Sequence, residues 1–232
     1  MPVPYFFEEN IHNERFLSLS ENTSKHIVQV LRLQADEVVM ITDGKGQKVE
    51  CRLTQADKRV AKVEVLERHQ QKKSSNQISI GISPIKNIGR FEWFLEKATE
   101  IGIDEIILLH CNHTEKQNVR YDRMRNILVS AMLQSRQSWL PALVPLVKFT
   151  EALPAFNHKQ KLIAHCNEGE KEALRSLKII DDTVILIGPE GDFSNEEVVF
   201  AEQYSFKAVS LGNTILRTET AGIAAAIFLK LI

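Results

Sequence analysis

The stretch that decides the fold is Ile185-Leu186-Ile187-Gly188-Pro189-Glu190-Gly191-Asp192-Phe193-Ser194. Its apolar run is typical of a strand buried on both faces, and it passes directly into a loop with two glycines. Ser194 and Glu197 have the spacing of a capping box, which predicts a helix that begins directly after Phe193. Ligands of open α/β sheets bind beyond the carboxyl ends of strands, so this loop is a candidate binding loop. For Gly-Pro-Glu-Gly alone, a tight turn between strand and helix is the simpler explanation.

The chain around this loop alternates strand-like and helix-like segments. Besides residues 184–187, the strand-like runs are 78–82, 106–109, 162–164 and 208–211. One helical pattern covers residues 91–98, and Gly102 is suited to its C-terminus. A second covers residues 124–135, with Asp122 as its predicted N-cap. The alternation predicts an α/β domain with a largely parallel sheet covered on both faces.

The N-terminal part of the chain follows a β pattern instead. Residues 38–41 and 49–53 have the character of paired strands, and Asp43-Gly44-Lys45-Gly46 between them predicts a hairpin turn. Residues 60–65 alternate again, as a half-buried strand should. Residues 24–33 are suited to a short helix that presents the basic residues Lys25 and Arg32. We therefore predict a small β-barrel-like module.

A polar stretch separates the two patterns. Residues 68–77 contain no apolar side chain, and we place the domain boundary there. The predicted domains are residues 1–70 and residues 77–232.

Bulk properties exclude several classes of protein. The 232 residues are 44% hydrophobic and 25% charged, as in an ordinary globular protein. No apolar run approaches the roughly 18 residues of a membrane helix, and the N-terminus does not have the pattern of a secretory signal. The cysteines Cys51, Cys111 and Cys166 form neither a metal quartet nor an even disulfide set, so we expect a reduced cytoplasm and no metal. A formal net charge of −1 leaves a nucleic-acid partner open, because a local basic patch is what binds phosphate.

A second loop follows the strand at residues 208–211. It leads through Gly212 to Arg217, and Thr218 or Thr220 is the predicted cap of the next helix. Arg217 is expected at the same sheet edge as Gly188. A lone arginine is usually a solvated surface charge, but at the mouth of a strand-end site it can hold an anion instead. The small residues 221–226 either allow another backbone to approach or simply pack well. Neither a P-loop, a GxGxxG loop nor a GxSxG elbow occurs in the chain, which argues against a phosphate cradle and an α/β-hydrolase.

Together these segments resemble the RsmE family, enzymes of the SPOUT class of RNA methyltransferases that use S-adenosylmethionine (SAM). The resemblance rests on the two C-terminal motifs at residues 187–194 and 211–221, and it runs the full length of the chain. The other stretches that carry it are His26 with Val30-Leu31-Arg32, then residues 97–102, and Gln134-Ser135.

The resemblance implies the fold, the partners and the donor site. It implies a PUA-like RNA-binding domain, then a SPOUT α/β domain with a deep trefoil knot in which SAM binds and through which two subunits pair as a homodimer. It also implies methylation of uridine N3 in 16S ribosomal RNA, presented as RNA or as the small ribosomal subunit. The implied SAM-binding residues are Ala164, His165, Ile187, Gly188, Pro189, Glu190, Gly191, Leu211, Gly212, Ile215 and Leu216.

Roles for charged residues follow from the chemistry of that reaction. Loss of the N3 proton places negative charge on the uracil oxygens, and we expect Arg217 to stabilise it in the manner of an oxyanion hole. Glu190 or Glu219 is the predicted proton acceptor or a partner that orients Arg217. A structural charge at a helix terminus is an equally good explanation for each of them. Lys25, Arg32 and Lys116 are the predicted RNA contacts. The alternative is a ribosome-assembly factor that keeps the fold and binds RNA without turnover.

The chain departs from the family pattern at two places. Asp192 stands where members usually have a second glycine, which adds a charge near the loop. Thr114-Glu115-Lys116 stands where many members read Glu-Arg-Ser. Lysine keeps the charge of the arginine but loses its planar fork, which changes the expected contacts with RNA.

Overall fold

The computed structural model describes residues 3–116 and 118–231, and the chain divides into two compact units. The first unit contains residues 1–73 together with the segment 132–140. The second contains residues 74–131 and 141–232. Each unit has its own sheet and its own buried apolar core.

The first unit is built on a five-stranded sheet. Its strands are β1 (Tyr5–Phe7), β2 (Phe16–Ser18), β3 (Val38–Thr42), β4 (Gln47–Gln55) and β5 (Lys62–Gln70). Their order is β1-β3-β4-β5-β2, with β1 parallel to β3 and the remaining pairs antiparallel. The predicted β-rich module is therefore confirmed, although β5 continues into the polar stretch that begins at Arg68.

The hairpin between β3 and β4 forms as predicted, and its glycines are required by the backbone. The Oδ1 atom of Asp43 accepts hydrogen bonds from the amides of Lys45 and Gln47, at 2.7 and 3.1 Å. Gly46 has φ of +95°, and a Cβ there would lie 2.5 Å from the ring of Trp139. A side chain at this position is excluded by both the backbone conformation and the space.

The short helix of this unit differs from the prediction over residues 24–33. It begins earlier, as α1 (Glu21–Lys25) with Ser20 as N-cap, and continues as a π-helical turn over His26–Val30. Arg32 follows with φ of +56°, a left-handed conformation that ends the helix.

The second unit contains a seven-stranded sheet in which every pairing is parallel. Its strands are β6 (Ile78–Ile82), β7 (Glu105–His110), β8 (Ala142–Lys148), β9 (Gln160–Ala164), β10 (Glu172–Ala173), β11 (Thr183–Ile187) and β12 (Lys207–Ser210). The order is β10-β12-β9-β11-β6-β7-β8. All residues of β6 and β11 are buried, as expected for central strands covered on both faces.

Within residues 3–116 and 118–231, five α-helices accompany this sheet, and their ends test the predicted caps. They are α2 (Ile88–Ile101), α3 (Tyr121–Gln134), α4 (Phe149–Ala152), α5 (Asn195–Gln203) and α6 (Thr218–Lys230). Gly102 ends α2 with φ of +92°, and Ser194 with Glu197 forms the complete capping box of α5, so both predictions are confirmed. Two caps were predicted wrongly. Asp122 lies inside the first turn of α3, and Arg217 is the N-cap residue of α6, without a side-chain hydrogen bond.

The strand order brings the candidate loops to one edge of the sheet. β9 and β11 are neighbours, with Ala164 opposite Ile187 at their carboxyl ends. β12 lies on the other side of β9, and β6 on the other side of β11. The loops that follow these strands therefore meet, as expected for an open α/β sheet.

The small-residue run of α6 packs inside the chain. A Cβ on Gly222 would lie 2.6 Å from the Phe94 ring of α2 and 3.0 Å from Ile82 of β6. Ala225 and Ala226 are fully buried as well. Of the two explanations left open by the sequence, close internal packing accounts for this face of the helix.

Candidate functional site

A cleft of about 730 Å³ opens at the carboxyl edge of the parallel sheet. Three loops form most of its wall: those that follow β9, β11 and β12. It is completed by Arg90 in the first turn of α2 and, at the start of α6, by Arg217, Thr218, Glu219 and Ala221. Its volume lies in the range of small-molecule and cofactor sites.

The predicted donor-site and catalytic residues meet in this cleft. Its wall contains Ala164, His165, Ile187, Gly188, Pro189, Glu190, Gly191, Leu211, Gly212, Ile215, Leu216, Arg217 and Glu219. The predicted RNA contacts lie elsewhere. Lys25 and Arg32 belong to the first unit, and Lys116 is a half-buried residue in the loop after β7 that does not line the cleft.

Asp192 organises the loop after β11. Its Oδ1 accepts a hydrogen bond from the amide of Phe193 at 2.8 Å, and its Oδ2 accepts one from the amide of Cys166 at 2.6 Å. Its main-chain oxygen lies 2.9 Å from Nδ1 of His113. Its φ is +60°, a conformation that glycine adopts freely and that aspartate tolerates better than most residues. The chain thus keeps a glycine-like backbone at this departure from the family pattern and gains a carboxylate that connects two loops.

The glycines of the cleft face different surroundings. A Cβ on Gly188 would lie 3.1 Å from Oδ1 of Asp192 and from the amide of Phe193. One on Gly191 would lie 3.1 Å from Cβ of His113. Both substituents would therefore press on the protein itself. At Gly212, with φ of +150°, nothing lies within 4 Å of the corresponding position, so the backbone faces open space.

His165 lines the cleft and has unsatisfied hydrogen-bonding groups that a ligand could satisfy. Both of its ring nitrogens are buried, and neither has a hydrogen-bond partner in residues 3–116 and 118–231. Burial lowers the pKa of His165 below its ordinary value, and the ammonium of Lys171 acts in the same direction. The imidazole is therefore neutral near pH 7, with one nitrogen able to donate and one able to accept a hydrogen bond.

Two charged residues that the sequence analysis missed lie beside the predicted ones. Nζ of Lys171 donates to the main-chain oxygens of His165 and Asn167, at 3.0 and 2.5 Å. Nε of Arg90 lies 3.8 Å from Oε1 of Glu219. Nothing in their local sequence marks either residue, because a lysine in a polar loop and an arginine at a helix start are common surface features.

The three candidate catalytic groups have different environments. Arg217 is exposed, and its guanidinium has no hydrogen bond or ion pair within the described part of the chain. The Glu219 side chain is only 8% exposed and is held by Arg90 in the first turn of α6, where a helix dipole favours a carboxylate. Glu190 is exposed, and its Oε2 accepts a hydrogen bond from the amide of Lys86 at 3.2 Å.

The altered motif at residues 114–116 supports the neighbouring loops. The hydroxyl of Thr114 is buried, lies 2.7 Å from that of Ser83 and accepts a hydrogen bond from the amide of Cys111 at 2.8 Å. Glu115 forms an ion pair with Lys86 at 3.1 Å. Two of the three residues therefore have contacts within the protein, and Lys116 carries the positive charge of this motif.

The other histidines, cysteines and carboxylates of the described residues do not form a metal site. Among the described residues, no group of three or more histidines, cysteines and carboxylates is placed to hold a metal ion. Burial raises the pKa of Cys51 to about 12 and raises that of Cys111, so both remain thiols. Within the same residues, no helix has the length and apolar character needed to cross a membrane.

Comparison with known proteins gives a family match for each of the two parts of the chain. A family model described as an RNA methyltransferase domain matches residues 72–230, and one described as an RNA methyltransferase PUA domain matches residues 19–66. Over 226 residues the chain is 26% identical to "Ribosomal RNA small subunit methyltransferase E" of Rickettsia conorii, with 95% of this chain and 91% of that protein covered. A protein of the same name from Mesomycoplasma hyopneumoniae is 27% identical over 228 residues, covering 94% and 96%.

Solved structures share the whole architecture. A crystal structure of a "probable rRNA-methyltransferase" from Porphyromonas gingivalis superposes with a TM-score of 0.89 at 33% identity, covering 98% of this chain and 97% of that one. The ribosomal RNA small subunit methyltransferase E of Neisseria gonorrhoeae, bound to S-adenosyl methionine, has a TM-score of 0.83 at 29% identity, covering 97% and 95%. The expected PUA-like and SPOUT-type domains are confirmed. The trefoil knot stays a prediction.

Proposed function

Because this chain belongs to the RsmE family of RNA methyltransferases, we propose that it transfers a methyl group from SAM to N3 of a specific uridine in 16S ribosomal RNA. The observation that carries the proposal is the cleft at the carboxyl ends of β9, β11 and β12, where the two loops that resemble the C-terminal motifs of the family meet. The Neisseria gonorrhoeae relative, which shares this architecture, is bound to SAM.

The residues present fit a bound SAM. The unpartnered nitrogens of His165 offer hydrogen bonds, and the open side of Gly212 leaves room for a ligand against the backbone. The residues that would hold the cofactor are the predicted ones in the three loops, with Lys171 supporting the first of them. SAM would supply an already activated methyl group on a sulfonium, so the transfer requires positioning and a nucleophilic nitrogen.

Arg217 is suited to stabilise the charge that develops on uracil. Its guanidinium has no ion pair within the described residues and lines the cleft, so its charge is available to a bound base. When N3 loses its proton, negative charge spreads onto the flanking carbonyl oxygens, and a positioned cationic donor lowers the energy of that state. We therefore propose that Arg217 stabilises the negative charge that develops on uracil during the reaction.

The two glutamates divide the other roles. Glu219 is buried and paired with Arg90, which suits a carboxylate that orients cationic groups at the start of α6. Glu190 is exposed at the cleft, and one of its oxygens is held by the Lys86 amide while the other stays available. We therefore propose Glu190 as the proton acceptor, a role that requires its second oxygen to come within hydrogen-bond reach of N3 when the base binds.

The proposed substrate determines the remaining partners. N3 lies on the Watson–Crick edge of uracil, so the target must be unpaired or flipped out of a helix when it is methylated. The PUA-type unit would hold the surrounding RNA, in free RNA or in the small subunit. We also propose a homodimer in the cytoplasm, where that RNA is found. A single mass of 26.4 kDa by light scattering at micromolar concentration would contradict the dimer.

A methyl-transfer assay tests the function. Full-length protein is incubated with labelled SAM and with small-subunit RNA or particles that lack the modification, and the product nucleosides are separated. Label in N3-methyluridine is the expected result. Label in another nucleoside would contradict the N3 assignment. RNA binding without any transfer would support the alternative, a ribosome-assembly factor that retains the fold.

A further inference from the structure

The peptide bond between His165 and Cys166 is held at both of its polar groups. Its carbonyl oxygen accepts a hydrogen bond from the ammonium of Lys171 at 3.0 Å. Its amide donates to the carboxylate of Asp192 at 2.6 Å. Hydrogen bonds to charged partners are shorter and stronger than neutral ones, so this peptide plane is fixed more firmly than an ordinary loop peptide.

The two charged partners come from different loops, and each has further anchors. Lys171 also donates to the oxygen of Asn167 at 2.5 Å, which closes the loop after β9. Asp192, in the loop after β11, is bound to the amide of Phe193 through its carboxylate and to His113 of the loop after β7 through its main-chain oxygen. These hydrogen bonds therefore connect the loop after β9 with the loop after β11, two adjacent walls of the cleft.

Holding this peptide restrains the main chain from which the His165 side chain projects. The ring is attached directly beside the held carbonyl, and it lines the cleft with both nitrogens buried and without partners in residues 3–116 and 118–231. Such groups cost free energy in the folded protein unless a ligand supplies the missing hydrogen bonds. Proteins retain such unsatisfied groups at functional sites, where the group is positioned in advance to bind a ligand.

We propose that Lys171 and Asp192 form a peptide clamp that positions His165 to hydrogen-bond the cofactor. This inference rests on the proposed function, since the cofactor is taken to be SAM. Lys171 and Asp192 are positioning residues, and His165 is the residue that touches the ligand. Because Asp192 replaces the glycine usual in the family, the acidic half of the clamp is a feature of this chain.

The clamp is tested by SAM binding to full-length variants in a calorimeter. Lys171→Met keeps the length of the side chain and removes its charge, and Asp192→Gly keeps the backbone conformation and removes the carboxylate. His165→Phe keeps a ring without nitrogens. Lys148→Met is the control, because Lys148 is an exposed lysine paired with Glu151 that does not line the cleft. Thermal unfolding confirms that each variant is folded.

Each of the three cleft variants should raise the SAM dissociation constant about tenfold or more, the scale of one lost charge-assisted hydrogen bond. In the His165→Phe background, Lys171→Met and Asp192→Gly should have little further effect, because they act through the missing ring. The ring ¹⁵N resonances of His165, assigned by their loss in His165→Gln, should shift on adding SAM to wild type and shift less in Asp192→Gly. Lys148→Met should bind like wild type.

Two results would overturn the clamp while leaving the function intact. One is wild-type affinity in Asp192→Gly and Lys171→Met. The other is an equal loss for these changes with and without the His165 ring. If the wild-type protein itself fails to bind SAM, the proposed function fails, and that outcome is distinct from either.

Discussion

Arg217 and Glu219 lie two residues apart at the start of α6, yet their environments differ sharply. Glu219 is buried against Arg90, whereas Arg217 is exposed to the cleft and has no partner within the described residues. A charge that the protein does not neutralise is available to a substrate. At the scale of single residues, this difference supports our proposals that Arg217 acts in the reaction and that Glu219 supports neighbouring cations.

Arg217→Ala should separate binding from turnover. If the guanidinium acts on the developing uracil charge, the variant should bind SAM normally and lose about 100-fold or more in turnover, the scale for one oxyanion donor. Calorimetry with SAM and single-turnover methylation measure the two quantities. Arg175→Ala, an exposed arginine outside the cleft, is the control. Weakened SAM binding with normal turnover at saturation would move Arg217 into the donor pocket.

Gly191→Val should weaken SAM binding by displacing the loop. The added Cβ would lie 3.1 Å from Cβ of His113, and the valine methyls need still more room, so the loop after β11 must shift. We expect a rise of at least about tenfold in the dissociation constant, since a small misplacement of a site is costly. Gly89→Ala is the control, because its Cβ meets only ordinary contacts, the nearest at 3.5 Å from Oδ1 of Asn87. Unchanged affinity in folded Gly191→Val would remove this loop from the donor site.

The local sequence pattern predicted the cleft residues that lie in loops after strands, but it did not predict those whose position depends on the path of the chain. Gly188 and Gly191 lie in the loop after β11, and Arg217 ends the loop after β12, so the sheet rule was enough to bring them together. Lys171 and Arg90 reach the cleft from a long loop and from a helix start, positions that depend on the path of the chain. The role of Asp192 requires its φ of +60° and its partner Cys166, which only the structure provides.

At the scale of elements, the central strands were predictable and the edge strands were not. β6 and β11 are wholly buried, so their apolar runs stand out in the sequence. β8 is an edge strand in which Leu143 is the one buried residue of seven, and it contains Pro145 near an irregularity in its pairing with β7. Proline is tolerated in such positions but weakens the strand signal. β1, β2 and β10 are also edge strands, of three residues or fewer, too short for a pattern.

His158, which precedes β9, should make stability depend on pH. Burial lowers its pKa below the ordinary 6.5, while Asp182 and Glu105 partly oppose that shift and Lys161 adds to it. The unfolded chain therefore binds this proton more tightly than the folded one. The contribution is fully present above pH 6.5 and is lost as the pH falls below it toward the folded pKa. His165, whose pKa is also lowered, acts in the same sense.

Thermal unfolding between pH 8 and 5, about 1.5 units to either side of the ordinary histidine pKa, measures this dependence. In His158→Gln the loss of stability on acidification should be smaller, even if the absolute stability falls because the contact with the Ser79 hydroxyl at 3.0 Å changes. His69→Gln is the control, because that side chain is half exposed on β5. Identical slopes for wild type and His158→Gln would show that another group controls the acid sensitivity.

At the scale of the whole molecule, the two units divide the proposed work. The second unit contains the entire cleft, and the first carries a separate sheet that matches a PUA-type model from residue 19 to residue 66. A net charge of −1 requires that RNA affinity come from local positive charge. Within the first unit, Lys25 is already paired with Glu21 at 2.7 Å, whereas the exposed Arg32 has no ion pair among the described residues.

Arg32 should therefore contribute to RNA binding without contributing to the donor site. Its φ of +56° is a glycine-like conformation, so Arg32→Gly removes the charge while relieving the backbone, and loss of fold cannot explain a loss of affinity. We expect Arg32→Gly and Arg32→Glu to weaken RNA binding progressively, and Arg32→Gly to make the salt slope shallower by about one unit, with SAM affinity unchanged. Binding to small-subunit RNA across a salt series measures both quantities. Arg59→Glu, an exposed arginine in the loop before β5, is the matched control. Equal affinity and equal slope for wild type and Arg32→Glu would show that the first unit binds RNA through another face.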